Sequence, residues 1–280
     1  MINARLFSLV SSMPKTAPLD TDAQAFITAA SITDNTQKTA INQLVLDLKA
    51  NSLWTKMKAL YPFVGGNSTS HSKNLINPSQ YQLTFYGGWT HSSTGVLPNG
   101  TNGFAKTGFS PDSIFTNKDS AGSTYYSRTN RSLDYGISHG CYDLNFNIWV
   151  SNARYSGNNM TIRLNQNGFS NTTASGVSDS RGCFTMNRNN STQQSIYRNG
   201  SLLITGSVNS SNVGTGKCTA EMVLGANNPG VAIGSPNTNM EYYDNEEYAI
   251  FAFHDGLTSG EISTLNTINT TYQTTLSRNV

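Results

Sequence analysis

From Tyr81 to His254 the chain is a succession of short β-favouring runs separated by turn residues, and this rhythm constrains the fold more than any other feature. The runs are "YQLTFY", "GFAKTGF", "STYYSRT", "YDLNFNIWVS", "NMTIRL", "GCFTMNR", "SIYRNGSLLITG", "AEMVLGA", "GVAIGS" and "EYAIFAF". About ten strands at such spacing predict an antiparallel sandwich or jelly roll. Tyr142 to Val150 alternates, which predicts one strand with Leu144, Phe146, Ile148 and Val150 on a single face. Asn199-Gly200 sits between "QSIYR" and "SLLITG" and predicts a two-residue hairpin, because both turn residues need positive φ. Asn99-Gly100 is a second, weaker candidate for the same turn.

The first 62 residues read differently. Thr21 with Gln24, and Asp34 with Gln37, have the spacing of capping boxes ahead of apolar-periodic runs. In the second run Ile41, Leu44, Val45 and Leu48 fall on one helical face. Ser52 is placed to cap a third helix carrying Leu53, Trp54, Met57, Leu60 and Tyr61, stopped by Pro62. Such faces need cover. They predict either a helical hairpin laid on the following domain or a docking and oligomerisation element, with Ile41, Leu44, Val45, Leu48, Trp54 and Met57 as its contact residues. The Gly/Ser/Asn-rich stretch 63–80 reads as a linker, so the expected partition is 1–62 helical, 63–80 linker and 81–280 sandwich closed by a C-terminal helix. That helix starts in "FAFHDGLTSGEISTL". There Phe251 and Phe253 point inward, Thr258 or Ser259 caps, Glu261 occupies the first turn, and Ile262, Leu265 and Ile268 form the buried face.

Composition narrows the function classes. Only 12% of residues are charged, about half the usual ~25%, and the net charge is +2. Nothing electrostatic argues for nucleic acid or an anionic membrane as partner. No stretch approaches the roughly 20 apolar residues of a membrane span, and the apolar run Leu6–Val10 is short for a secretory leader. Without such a leader, the sequons at Asn67, Asn171, Asn190 and Asn209 carry no glycosylation argument. Cys141, Cys183 and Cys218 are an odd set without CxxC spacing and read as buried thiols of a chain made in a reducing compartment. The surface, rich in Ser, Thr, Asn and Gly, suits permanent assembly or contact with neutral sugars.

Candidate chemistry is sparse. His71, His91, His139 and His254 have no metal-ligand spacing, and there is no phosphate loop or GxSxG elbow. In "NMEYYDNEEYAIF", Glu241 and Asp244 are three apart and fall on opposite sides of a strand, so only Asp244 and Glu246 share a face. That departs from the paired-carboxylate patterns of sandwich glycosidases. A solvated cluster is the expectation, with Asp244 and Glu246 as candidate calcium ligands. No other cofactor is indicated, and the chain reads as non-enzymatic. Tyr81, Phe85, Tyr86, Trp89, Tyr125, Tyr126, Tyr155, Tyr242 and Tyr243 include adjacent pairs, one of which must face outward on a strand. Such rings cover a core edge or subunit interface, or stack on sugars; Tyr126, Tyr242 and Tyr243 are the glycan-contact candidates.

Two stretches carry a resemblance. "QSIYRNGSLLITGS" resembles the hairpin of laminin G-like, concanavalin A-like jelly rolls, and "EYAIFAFHDGLTSGEISTLNTIN" resembles their closing strand, turn and helix. More narrowly, "ITDNTQKTAINQLVLDLKANSLWTKMKALYPFVGG", "GGWTHSSTGVLPNGTNGFA", "TYYSRTN" and "YQTTLSRNV" resemble virion structural proteins of tailed phages infecting Bacteroidota, including the crAss-like group. This resemblance implies a non-enzymatic head fibre, decoration or tail-fibre component. Such a protein is made in the host cytoplasm, partnered by other capsid or tail proteins and by copies of itself, and displays its sandwich outward. A host-glycan adhesion module is the alternative expectation, and a glycan depolymerase a third.

Overall fold

The computed structural model describes residues 18–131, 135–155, 157–167, 171–208, 216–236 and 239–280, apart from the side chains of 153–155. The apolar run Leu6–Val10, the sequon at Asn209 and the ring of Tyr155 therefore lie outside the described residues. The helices are α1 (Thr21–Ala29), α2 (Asn35–Ala50), α3 (Ser68–His71), α4 (Pro111–Ile114) and α5 (Ser259–Thr275). The strands, in chain order, are β1 (Met57–Tyr61), β2 (Thr84–Tyr86), β3 (Trp89–His91), β4 (Val96–Pro98), β5 (Phe104–Lys106), β6 (Ala121–Ser127), β7 (His139–Tyr142) and β8 (Asn147–Tyr155). They continue as β9 (Asn159–Asn167), β10 (Thr172–Ala174), β11 (Gly182–Arg188), β12 (Gln193–Arg198), β13 (Ser201–Ser207), β14 (Val223–Leu224), β15 (Asn227–Pro229) and β16 (Tyr248–His254).

These strands form two sheets, so the chain is a jelly-roll β-sandwich as the strand rhythm predicts. The first sheet runs β13-β12-β11-β6-β16-β4-β3, with β1 also on β16; the second runs β10-β9-β8-β7-β14-β5-β2, with β15 in parallel on β7. Between them lies a core that includes Tyr125, Phe184, Phe251 and Phe253 from one sheet and Trp149, Ile162 and Leu164 from the other. Trp149 stacks on Phe115 at 5.0 Å.

The central strands of the first sheet, β6, β11 and β16, also bury their outer face. Tyr126, Cys183, Ile250 and Ala252 pack there against Phe26 and Ile27 of α1, Ile41, Leu44, Val45 and Leu48 of α2, and Ile262, Leu265 and Ile268 of α5. Thr258 caps α5 in a capping box with Glu261, whose carboxylate also meets Lys56. Asp34 caps α2 by accepting from Gln37 N, whereas at α1 the capping residue is Asp20 rather than Thr21. The apolar helix faces are thus covered by the chain's own sheet, the first of the two alternatives the sequence left open.

Three expectations change. The third helix is a single 3-10 turn, Trp54–Lys56, followed by β1, whose Ala59, Leu60 and Tyr61 pair with Phe253, Ala252 and Phe251. A run this short satisfies helix and strand spacing alike, and the open edge of β16 decides. The linker is packed structure: Phe63, Val64, His71, Asn74 and Leu75 are buried, and Leu75 N donates to Leu60 O at 2.7 Å. The boundaries at 62 and 80 therefore separate nothing, since β1 belongs to the sandwich. Finally, Tyr142–Val150 is not one strand. Asp143 Oδ1 accepts from Asn145 N and Asn147 N, closing a turn between β7 and β8 that puts Leu144 at 93% exposure.

The two Asn-Gly pairs also part company. Asn199 (φ +49°) and Gly200 (φ +77°) make the β12–β13 turn. Asn99 instead uses its Oδ1 to accept from the amides of Thr101, Asn102 and Gly103, and the chain crosses to the other sheet. Because α2 completes the cover of a sheet, Leu44→Ala is expected to cost about 2–5 kcal/mol of global stability. Denaturant unfolding should show a single transition at a lower midpoint, with no early loss of a separate helical unit.

Candidate functional site

Among the described residues, part of the outer face of the second sheet carries no helix. On β8, Trp149 and Ser151 turn inward, so Ile148, Val150 and Asn152 face out; on β9, Thr161 and Arg163 do the same. Ile137, Ile148 and Val150 form a small apolar cluster, with Tyr142 packed against it. This cluster is the floor of a groove of about 470 Å³, a volume within the ordinary range for small-molecule sites. Rings of Tyr135, Tyr142, Phe146 and Tyr242 stand around it, together with the polar side chains of Asn152, Arg163, Asn171, Asn227 and Glu241. Arg163 Nε donates to Asn171 Oδ1 at 2.5 Å, and the partial burial of this guanidinium lowers its pKa. Glu241 bridges to Asn227 through two backbone hydrogen bonds of 2.8 and 2.9 Å.

Two rim rings sit on unusual backbone. Phe146 (φ +56°) and Tyr242 (φ +54°) occupy left-handed conformations and are about half exposed, at 52% and 50%. Such a conformation in a bulky residue costs about 1–3 kcal/mol and persists only where surrounding structure imposes it. The imposing contacts are visible. Phe146 N donates to Asp143 O at 2.9 Å, and Tyr242 O accepts from Ile137 N at 2.8 Å. Asp143 is itself buried, its Oδ2 accepting from the backbone N and the hydroxyl of Thr219.

Beneath Tyr242 lies a buried ionic cluster. Asp244 and Glu246 are fully buried, which corrects the expectation of a solvated carboxylate pair. Arg131 Nε lies 3.2 Å from Asp244 Oδ1, and the Tyr248 hydroxyl donates to Asp244 Oδ2. There is no room for a side chain at Gly136, where a Cβ would fall 1.9 Å from Arg131 Nη2. Burial, reinforced by neighbouring Asp244, pushes the Glu246 carboxyl well above the usual carboxylate range, against the opposing pull of Arg131. The Arg131 guanidinium faces Asp244 in this corner. The positive charge this corner calls for is therefore already supplied by the chain, and the pair has no open side for calcium. Among the described residues no group of three or more His, Cys, Asp or Glu gathers as a metal site.

The other sequence candidates fall elsewhere. Tyr126 is buried under α5, its hydroxyl accepting from Val280 N at 3.0 Å, and Tyr243 packs beside Phe104, Val223 and Met240. Of the three glycan-contact candidates only Tyr242 reaches the groove. Ile41, Leu44, Val45, Leu48 and Met57 are buried in the layer beneath the helices, and the Trp54 ring is half-buried with Lys49 Nζ 5.3 Å from its centre. All three cysteines are free and buried. His254 is core, bonded to Thr124 Oγ1 and Asp255 O, and burial lowers its pKa to about 4.

Sequence reading missed Phe146 and Tyr142 as rim residues and missed one juxtaposition altogether. His71 and His91 meet at 3.0 Å between Nδ1 atoms. Gly66 N donates to His71 Nε2, so the neutral ring carries its proton on Nδ1 and donates it to His91. Burial first, then His91, lower the His71 pKa to about 3.

Known structures share this architecture. A Trypanosoma rangeli sialidase in complex with 2,3-difluorosialic acid matches with a TM-score of 0.55 at 9% identity, over 84% of this chain and 40% of that one. A structure of botulinum neurotoxin type C, a toxin that depends on two ganglioside molecules to get into cells, matches with a TM-score of 0.51 at 14% identity, over 78% of this chain and 53% of that one. At such identities the likeness is one of fold. The chain spans about half the length of these proteins, or less. No protein family matches the chain, and no curated protein matches it in sequence.

The buried carboxyl makes a measurable demand on pH. The folded state keeps a proton on Glu246 that the unfolded chain releases above its usual value of 4.5. The folded chain thus binds more protons, and stability falls as pH rises from that value toward the raised folded one. Glu246→Gln should remove this contribution. Urea midpoints at pH 5 and pH 8 are expected to converge in the variant, and a wild-type difference that survives the substitution would place its origin elsewhere.

Proposed function

We propose that the chain is a non-enzymatic recognition module that binds a glycan in the groove on its second sheet and is displayed on the particle of a tailed phage. The observation that carries the binding reading is the groove itself: an apolar floor, aromatic rings at its rim, and amides and one guanidinium among them. Rings match the apolar face of a sugar and fixed amides match its hydroxyls. Binding is favoured over hydrolysis because Glu241 is the one carboxylate among the described residues lining the groove, while Asp244 and Glu246 are closed off below it. Glycosidic cleavage ordinarily needs two carboxyl groups flanking the bond.

The particle reading rests on the resemblance to virion structural proteins of phages infecting Bacteroidota, and the low charge and amide-rich composition are compatible with it. Since the helices of residues 21–50 spend their apolar faces on the sandwich, attachment to capsid or tail proteins and to other copies would use a different surface. Cutting away residues 1–62 is a poor test of docking, because the cut removes β1 from its sheet.

Two measurements test the two halves. On an array of bacterial surface glycans the protein should give a selective signal, and Tyr242→Ala should weaken it about tenfold while Tyr126→Ala leaves the selectivity unchanged; a flat array from folded protein refutes binding. Antibody labelling of purified phage particles should decorate them at fixed positions, and unlabelled particles would refute the virion assignment.

A further inference from the structure

Resting on the glycan-binding reading above, we infer that the ligand is an internal stretch of an extended saccharide chain, held at both ends of the groove, rather than a single terminal sugar. The placement of the two strained rings points to this. Tyr242 is fixed beside Ile137, just ahead of β7, by the hydrogen bond from Ile137 N to Tyr242 O. Phe146 lies beyond the other end of β7, in the turn into β8. At about 3.3 Å per residue the intervening segment 137–142 separates these positions by on the order of 15 Å. The apolar floor of Ile148 and Val150 runs between them along β8. One sugar ring does not reach both ends of such a floor; a chain of several does.

The backbone adds an independent argument. Phe146 and Tyr242 are the only residues among the described ones that combine an aromatic side chain, substantial exposure and a left-handed backbone, and both stand on this one groove. The other two left-handed aromatics, Phe63 and Tyr81, pack into or against the core. Two exposed rings on unfavourable backbone, one at each end of a single cavity, are the arrangement that a two-ended clamp requires.

The test uses a ladder of oligosaccharides, from monosaccharide to octasaccharide, cut from the polysaccharide with the strongest array signal and titrated into full-length protein by calorimetry. Affinity is expected to climb at least about tenfold along the ladder and then level off, each ring contributing roughly a factor of ten. Phe146→Asn and Tyr242→Asn remove the rings with a residue that tolerates left-handed backbone. Each should flatten the ladder at its long end without lowering the melting temperature, and Phe146→Tyr should restore it. A monosaccharide that binds as tightly as the octasaccharide overturns the inference, as do ring-less variants with an unchanged ladder. A protein that binds no saccharide at all refutes the underlying reading instead.

Discussion

The burial of β16 on both faces is the constraint on which the structure depends. All seven residues, Tyr248–His254, are buried. Phe251 and Phe253 face the second sheet, and Ile250 and Ala252 face the helices. A strand apolar on both sides cannot stand at the surface of a two-layer sandwich, so a third layer is obligatory. That third layer is assembled from the two ends of the described chain: α1 and α2 before the first strand, and α5 after the last. Residues 18–62 are therefore a component of the fold, and β1, added to the free edge of β16, continues the sheet beneath them.

The same logic, run on the second sheet, yields the groove. Among the described residues no helix covers β8 and β9, and the apolar side chains that face outward there are sheltered by loop rings. In a chain with so few charges, the ones inside are held closely. Arg188 lies fully buried with its guanidinium on Leu164 O, Asn165 O and Asp119, and Arg278 donates to Phe63 O and Gln273 Oε1. Such pairs are costly to desolvate and still more costly to break singly. They define where segments dock more than they add to stability.

The strand rhythm, the Asn199-Gly200 turn, the apolar face of α2 and the Thr258–Glu261 cap were legible in sequence because each depends on neighbours within a few residues. What escaped depends on partners far along the chain. Met57–Tyr61 is a strand because β16, nearly two hundred residues later, offers an edge. Asp244 and Glu246 looked solvated because Arg131, which pairs with Asp244, lies more than a hundred residues upstream. The turn at Asp143 was hidden by an alternation that happened to run through it, though "DLNFN" contains the Asp and Asn that such a turn favours. The groove was partly visible in Tyr242, but its floor appears only when β7, β8 and β9 are set side by side.

Each strained ring at the groove has a buried aspartate close by in sequence. Asp143 precedes Phe146 and is tied to Thr219; Asp244 follows Tyr242 and is tied to Arg131 and Tyr248. Shape and rim chemistry are thus assigned to different side chains of the same short segments. The aspartates keep the segments where they are whatever the neighbouring ring may be. A chain built this way can exchange its rim residues and present a new rim while its scaffold stays unaltered, much as interchangeable jaws fit a single vice.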